Sequence, residues 1–134
     1  MAIDVKHIKP EFIDERGFIS RVIDQDKYKI RSILYIKRKK DSRGADHFHK
    51  KDAHYVYVLS GKVKRSEKNM KDSTSKIESV ILGPGDIVLT PANVAHSDVF
   101  LEDSVIMAFT TENRDQKDYE KDTVRVEFFK KPSK

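Results

Sequence analysis

Apolar residues fall in short bursts of alternating or β-branched type along this chain, and no long amphipathic helical pattern competes with them. Alternation with a period of two is typical of half-buried strands. The strands predicted in this way cover residues 17–23, 32–37, 54–60, 62–66, 77–82, 87–89, 97–101, 105–110 and 124–129. Many short strands at regular spacing indicate a sandwich or a barrel, so the predicted fold class is all-β.

Polar and glycine-rich segments separate these strands. Ser60-Gly61 joins two strands with almost no loop, which predicts a tight hairpin. Gly83-Pro84-Gly85-Asp86 predicts a turn, and residues 69–75 form a polar loop between strands that we expect to pair. Residues 113–122 are polar and acidic and predict one helical turn before the last strand.

The length and composition narrow the possible classes of protein. A chain of 134 residues predicts one domain over residues 1–134. The absence of cysteine excludes disulfides and thiolate ligands, so any metal would be bound by imidazole or oxygen. Neither a signal peptide nor a run of roughly 18 apolar residues is present, which predicts a cytoplasmic protein without membrane spans.

The chain is basic, with 27 Lys and Arg against 22 Asp and Glu and a net charge of +5. This excess is compatible with a solvated surface or with attraction of an anionic ligand such as a phosphorylated substrate. Aromatic residues do not interleave with the basic runs, so a nucleic-acid partner is not indicated.

Four of the five histidines, His47, His49, His54 and His96, have the spacing of a metal site. His47 and His49, two residues apart on a strand, project from the same face. The other two lie at the starts of strands that a barrel would bring close. This convergence predicts a divalent transition metal (Fe, Mn, Ni or Zn), although four buried histidines bonded to one another without metal would fit the same pattern. The fifth histidine, His7, is expected to be an ordinary surface residue.

Two segments resemble the motifs of the cupins. The first, His-x-His-x(3,4)-Glu-x(6)-Gly, is matched by His47, His49 and Gly61, with His54 in place of glutamate. The second, Gly-x(5)-Pro-x-Gly-x(2)-His-x(3)-Asn, is matched by Gly85, Pro91 and His96, with Asn93 and Phe100 as departures. The resemblance implies a double-stranded β-helix, the cupin jelly-roll barrel. Asn93 is expected to adopt the left-handed conformation that the motif's glycine provides.

The flanking segments resemble a narrower group, the dTDP-4-keto-6-deoxyhexose 3,5-epimerases and the dTDP-sugar 3,4-ketoisomerases. Asp14-Glu15-Arg16-Gly17 is similar to their Asp-x-Arg-Gly. The segment 43–50 is similar to their Arg-Gly-x-His-Ala-His-Lys, with one extra residue between glycine and histidine, and 118–128 is similar to their C-terminal Asp-Tyr-Ile-Arg-Asp-Tyr-x-x-Phe.

This resemblance implies an isomerase or epimerase acting on a nucleotide-linked keto sugar in polysaccharide biosynthesis. Arg16, Arg43 and Lys50 would bind an anionic sugar nucleotide, and His47 and His49 would be acid and base. It also implies a homodimer, in which residues 3–8, which alternate like an edge strand, would be exchanged between subunits.

Metal binding and proton transfer compete for the same two histidines. A metal-bound imidazole has its reactive lone pair occupied, and in the ketoisomerases that the chain resembles the histidine pair works without metal. If a metal is bound, it would stabilise an enediolate, and Tyr55, Tyr57 or Tyr35 would be the proton donor. Two other functions stay open: an Fe-dependent cupin dioxygenase and a non-catalytic module that binds a sugar or a metal.

Overall fold

Strands dominate the computed structural model, which describes residues 3–24, 27–112 and 115–130. The strands are β1 (Asp4–His7), β2 (Phe12–Asp14), β3 (Gly17–Ile19), β4 (Ser32–Arg38), β5 (Arg43–His49), β6 (His54–Ser60), β7 (Val63–Asn69), β8 (Glu78–Leu82), β9 (Asp86–Thr90), β10 (Val94–Phe100), β11 (Ser104–Thr110) and β12 (Thr123–Arg125). One helix, α1 (Gln116–Asp122), precedes β12, and a 3-10 turn (Phe128–Lys130) follows it.

Two antiparallel five-stranded sheets face each other. One has the strand order β1-β9-β6-β11-β4 and the other β12-β5-β10-β7-β8, while β2 and β3 form a separate hairpin. The two sheets form the jelly-roll barrel expected from the cupin motifs, which confirms the predicted fold class. None of the helices within the described ranges has the length and apolar character needed to cross a bilayer.

Several local predictions are confirmed and others are corrected. The loop at residues 69–75 does connect paired strands, β7 and β8, and α1 lies in the segment predicted as one helical turn. The prediction of a tight hairpin at Ser60-Gly61 is wrong, because β6 and β7 belong to opposite sheets. The short link carries the chain from one sheet to the other. The last predicted strand ends at Arg125. β1 pairs with β9 of the same chain, and the exchange of residues 3–8 between subunits stays a prediction.

The barrel interior is apolar at one end and polar at the other. Along β10 the inward residues are Phe100, Asp98 and His96, and their partners on β7 are Val63, Arg65 and Glu67. The apolar end is closed by one cluster that consists of Val56, Val58, Val63, Leu82, Val88, Phe100, Ile106 and Ala108. The polar side chains at the other end are thus positioned by strands whose opposite ends are packed in this core.

Candidate active site

All four predicted histidines converge at the polar end of the barrel. His47 and His49 lie on β5, His54 on β6 and His96 on β10. The ring centroids of His47 and His49 are 4.6 Å apart, those of His47 and His96 4.8 Å, and those of His54 and His96 4.6 Å. His49, His54 and His96 are buried, and His47 is half-buried. The spacing in the sequence therefore correctly predicted a single cluster.

A β-bulge in β5 sets the direction of the first two histidines. His96 is paired with His47 and Ser97 with Ala45, so Asp46 is the extra residue in the register with β10. Ala45 and Asp46 have φ angles of 67° and 59°, in the left-handed region. A bulge of this kind takes up one extra residue and restores the register of the strand beyond it.

Two of the histidines are held by hydrogen bonds that identify their protonated nitrogen. The Thr123 hydroxyl donates to the Tyr119 carbonyl at 2.6 Å, so toward His49 Nδ1, 3.3 Å away, it can only accept. His49 Nδ1 therefore carries the proton, and Nε2 of a neutral ring has a lone pair. His96 Nδ1 likewise donates to the Val94 carbonyl at 3.2 Å. The Asp122 carboxylate, 3.6 Å from His49 Nδ1, further favours this tautomer.

His54 has both ring nitrogens engaged. Its Nδ1 lies 3.4 Å from Asp52 Oδ2, and its Nε2 lies 3.3 Å from Nη2 of Arg65. Because a guanidinium only donates, Nε2 must be the acceptor and Nδ1 the donor. The other oxygen of Asp52 accepts hydrogen bonds from Thr111 at 2.9 and 3.2 Å. The ring is therefore fixed between an anchored carboxylate and a buried cation.

The cation beside His54 belongs to a buried ionic network. Arg65 has 1% of its side chain exposed and donates to Asp98 at 2.8 Å, to Glu67 at 3.4 Å and to Thr90 at 2.9 Å. Burial alone would lower the pKa of Arg65, but the two carboxylates outweigh burial and raise it. The guanidinium is therefore a permanent charge beneath the histidines.

The surroundings of His47 and His96 favour the neutral imidazole. Burial, followed by the charges of His49, His54 and Arg65, lowers the pKa of His47 to about 3. The pKa of His96 is also well below its ordinary value, mainly because of burial and then because of Arg65. For Asp52, burial alone would raise the pKa, but the hydrogen bond from His54 leads the opposing effects and the carboxyl pKa is lowered.

Two cavities meet at the histidines. The inner one has a volume of about 140 Å³ and extends into the barrel, with all four histidines, Arg38 and Arg65 in its wall. The outer one, about 450 Å³, is lined by three lysines (Lys50, Lys51 and Lys121) and by four carboxylates (Asp52, Glu112, Asp118 and Asp122). The residues common to both walls are His49, Asp52, Thr110 and Tyr119. A ligand that spans both cavities would contact charged side chains in the outer one and the histidines in the inner one.

The structure does not bring the predicted tyrosines to this site. On β6 the buried residues are His54, Val56 and Val58, so Tyr55 and Tyr57 project from the opposite face of the strand. Tyr55 instead contacts Tyr28, with ring centroids 6.4 Å apart. Tyr35 is 64% exposed on the outer face of β4. Neighbouring residues on a strand point to opposite faces, so Tyr55 and Tyr57 point away from the face that carries His54. A proton-donor role for these three tyrosines is therefore not supported.

The predicted phosphate-binding residues are distributed over the molecule. Lys50 lies in the wall of the outer cavity. Arg43 is bonded to Asp46 and to Ser97, both at 2.9 Å, beside the bulge. Arg16 lies on the β2–β3 hairpin, where it pairs with Asp14 at 2.7 Å and is outside both cavities. Of these three residues, Lys50 is the one that lines a cavity at the histidine site.

Sequence reasoning missed two residues of the site. Arg65 stands among Lys62, Lys64 and Lys68 in the sequence, a run that favours a solvated basic surface, although Val63, Arg65 and Glu67 alternate on one face of β7 and could have indicated burial. Tyr119 lies in the segment noted for its resemblance to the ketoisomerases, yet no role was predicted for it. Its ring centroid is 5.6 Å from that of His49 and 6.2 Å from that of His47.

Three of the four histidines form a donor set that could hold a metal ion. His47, His49 and His96 each offer one ring nitrogen within 4.8 Å of the others. Lone pairs on buried neutral imidazoles suit a first-row divalent ion. His54 and Asp52 also lie within this distance of His49, but they are already bonded to each other, and His54 to Arg65. The predicted set of four ligands is therefore reduced to three candidates.

Comparison with known proteins gives the family context of this site. A family model described as FdtA: WxcM-like, C-terminal matches residues 1–131. No curated protein matches the sequence significantly. A double mutant of QdtA, a 3,4-ketoisomerase from Thermoanaerobacterium thermosaccharolyticum solved with TDP, has 27% identity and a TM-score of 0.71 over 96% of this chain and 92% of its own.

Two more distant structures agree in fold. The TDP-fucose-3,4-ketoisomerase WlaRA from Campylobacter jejuni has 16% identity and a TM-score of 0.77 over 96% of this chain and 93% of its own. The dTDP-4-dehydrorhamnose 3,5-epimerase from Sulfolobus tokodaii has 18% identity and a TM-score of 0.71 over 88% of this chain and 80% of its own.

Proposed function

The chain belongs to the FdtA family, WxcM-like C-terminal, and from this premise we propose that it is an isomerase acting on a nucleotide-linked keto sugar. The observation that carries the proposal is the pair His47 and His49, with ring centroids 4.6 Å apart, in the wall of a cavity inside the barrel. The QdtA double mutant that it resembles at 27% identity was solved with TDP, which agrees with a nucleotide-linked ligand.

The chemistry of such an isomerase is proton transfer beside a ketone. A hydrogen on the carbon next to the carbonyl is removed, an enediol forms, and a proton is returned to the neighbouring carbon. His49 suits the role of base, because Thr123 and Asp122 hold the proton on Nδ1 and make Nε2 the basic nitrogen. His47 is adjacent and neutral, so it would act with His49 on the same sugar ring.

The diphosphate is proposed to lie in the outer cavity. Lys50, Lys51 and Lys121 offer cationic contacts there beside the carboxylates of Asp52, Glu112, Asp118 and Asp122. The excess of basic residues in the whole chain favours an anionic ligand. Arg16 and Arg43 remain predicted phosphate ligands. Their test is the Michaelis constant of Arg16→Gln and Arg43→Gln variants, which should rise while kcat changes little.

The test uses TDP-4-keto-6-deoxyglucose, a sugar nucleotide with which a structural neighbour was solved. In deuterated water the protein should form a positional keto isomer and introduce deuterium at the exchanging carbon. His49→Asn should lower both rates by about 10²-fold or more, whereas His7→Asn, on the surface, should not. Neither isomer nor deuterium with TDP- and UDP-linked keto sugars would reject the proposal.

A bound metal is the second candidate, favoured by the three converging imidazoles. His47, His49 and His96 would hold a divalent ion, and such an ion would supply Lewis-acid stabilisation of an enediolate oxygen. Oxygen consumption in the presence of Fe(II) would instead favour a dioxygenase. A bound ion would occupy the lone pair of His49 Nε2, so the metal site and the His49 base are alternatives for this nitrogen.

We also propose that the protein is a homodimer. Phe12, Ile13, Phe18 and Ile19 on the β2–β3 hairpin are between 51% and 68% exposed. Ile33 and Tyr35 are 59% and 64% exposed on β4, which is the edge strand of its sheet. Exposed apolar side chains of this kind are typical of an interface, and an edge strand offers hydrogen bonds to a second copy.

A further inference from the structure

Tyr119 occupies the junction between the two cavities. It lies in the walls of both, half-buried, with its ring centroid 5.6 Å from that of His49 and 6.2 Å from that of His47. A ligand that spans both cavities therefore lies beside this ring.

The segment that carries Tyr119 is bonded firmly to the barrel. Asp115 caps α1 by accepting from the amides of Lys117 and Asp118. The Asp122 carboxylate accepts from the amides of Lys51 and Asp52 at 2.8 and 3.1 Å. The Tyr119 carbonyl accepts from the Thr123 hydroxyl, which also holds His49. The positions of Tyr119 and His49 are thus coupled through one side chain.

Three of the four histidines have no ring proton to give to a ligand in their neutral form. His49 and His96 direct theirs to Thr123 and to a backbone carbonyl, and His54 directs its own to Asp52. His47 is the histidine that competes with Tyr119 for the role of proton donor. Arg38 and Arg65 line the inner cavity, but a guanidinium stays charged and does not release a proton. A phenol can donate a proton and regain it.

We propose that Tyr119 is a further catalytic residue of this site, whose phenol donates a proton to the ketone oxygen and regains one from the neighbouring hydroxyl. This inference rests on the function proposed above. In the first step the C–H bond next to the ketone breaks, His49 Nε2 takes that proton, and the Tyr119 proton forms the O–H bond of the enediol. In the second step the imidazolium returns its proton to the other carbon, and the tyrosinate takes the proton of the adjacent hydroxyl. The ring and the phenol end as they began, and the carbonyl has moved by one carbon.

The experiment compares Tyr119→Phe with the wild type and with Tyr28→Phe, a half-buried tyrosine outside both cavities. Phenylalanine keeps the ring contacts with His47 and His49 and removes only the hydroxyl. For TDP-4-keto-6-deoxyglucose we expect kcat to fall about 10²-fold or more in Tyr119→Phe, with KM and the melting temperature near the wild-type values. Tyr28→Phe should retain wild-type kcat.

Four results would overturn the inference. A wild-type kcat in Tyr119→Phe would remove the phenol from the reaction while leaving the isomerase intact. A raised KM with unchanged kcat would make Tyr119 a binding surface only, and a melting temperature lowered in step with activity would make its role structural. Absence of turnover and exchange in the wild type would overturn the proposed function, and the inference with it.

Discussion

The Arg65 guanidinium lies 3.3 Å from Nε2 of His54, at the position where the cupin motif has glutamate. A glutamate there would pair with the cation directly. The imidazole of His54 stabilises the cation without a charge of its own. It accepts a hydrogen bond from Arg65 with one nitrogen and donates to Asp52 with the other. The residue that looked like a fourth metal ligand thus connects two buried charges.

Metal retention separates these two interpretations of His54. We expect His54→Gln, whose amide oxygen can still accept from Arg65, to keep whatever divalent ion the wild type keeps after dialysis. His96→Gln should lose it, because His96 belongs to the set of three converging nitrogens. Elemental analysis of both variants after exposure to Fe(II), Ni(II) or Zn(II) is the measurement. Loss of metal in His54→Gln alone would restore His54 as a ligand.

The buried network should make Arg65 important for stability. Arg65→Met would leave Glu67 and Asp98 without their cation in a dry interior, and we expect it to lower the free energy of unfolding by about 3–5 kcal/mol. Arg125→Met, which breaks an exposed pair with Glu120, should leave the unfolding midpoint close to that of the wild type. Urea denaturation of the two variants gives the comparison, and equal midpoints would contradict it.

Thr123 should influence catalysis without touching the sugar. Thr123→Val removes the oxygen that accepts from His49 Nδ1 and donates to the Tyr119 carbonyl. The His49 tautomer would then be less well defined, so we expect kcat to fall about tenfold or more with KM nearly unchanged. Steady-state kinetics on the keto sugar is the measurement. Retention of full kcat would show that Asp122 alone is sufficient to orient the ring.

The link between the two sheets should tolerate no side chain at Gly61. Its φ is +94°, and a Cβ there would collide with the Ser104 hydroxyl and come within 2.6 Å of the Asp103 carbonyl. We expect Gly61→Ala to cost at least about 2 kcal/mol of unfolding free energy. Gly83→Ala meets nothing within 4 Å, so its cost should stay within about 0.5 kcal/mol. Thermal or urea unfolding of the two variants is the measurement, and similar stabilities of Gly61→Ala and Gly83→Ala would contradict the prediction.

The apolar hairpin predicts the oligomeric state. Light scattering after gel filtration should give twice the chain mass of 15.5 kDa for the wild type. Phe18→Lys and Ile33→Lys, which place charge on the exposed apolar surface, should shift the mass toward the monomer. Ile81→Lys is the matched control, since Ile81 is 51% exposed on β8, in the other sheet. A monomeric wild type would reject the dimer.

The features of the site that depend on periodicity and motif spacing could be predicted from the sequence. The features that depend on which strands face each other could not. The four histidines were predicted together because their spacing matches two motifs of one barrel. Tyr55 and Tyr57 were assigned to the site by their closeness to His54 in the chain, although neighbours on a strand point to opposite sides. The link at Gly61 has the length of a hairpin, and only the sheet pairing shows that it crosses between layers.

Charge was the other source of error. Arg65 resembles its basic neighbours in composition, and its burial follows only from carboxylates on β7 and β10 that the fold brings to it. Asn93, in contrast, was predicted correctly from local chemistry, since its φ of 67° is the conformation that the glycine of the motif would adopt.

The bulge at Ala45 and Asp46 lets β5 contain an odd residue beside the reacting groups and still present them to the cavity. An added residue in a regular strand would turn every later side chain to the other face, and His47 and His49 would point into solvent. Two left-handed residues cancel that rotation locally. Removing Asp46 alone would therefore leave the composition of the site unchanged, and its effect would depend on whether the strand keeps the direction of the two imidazoles.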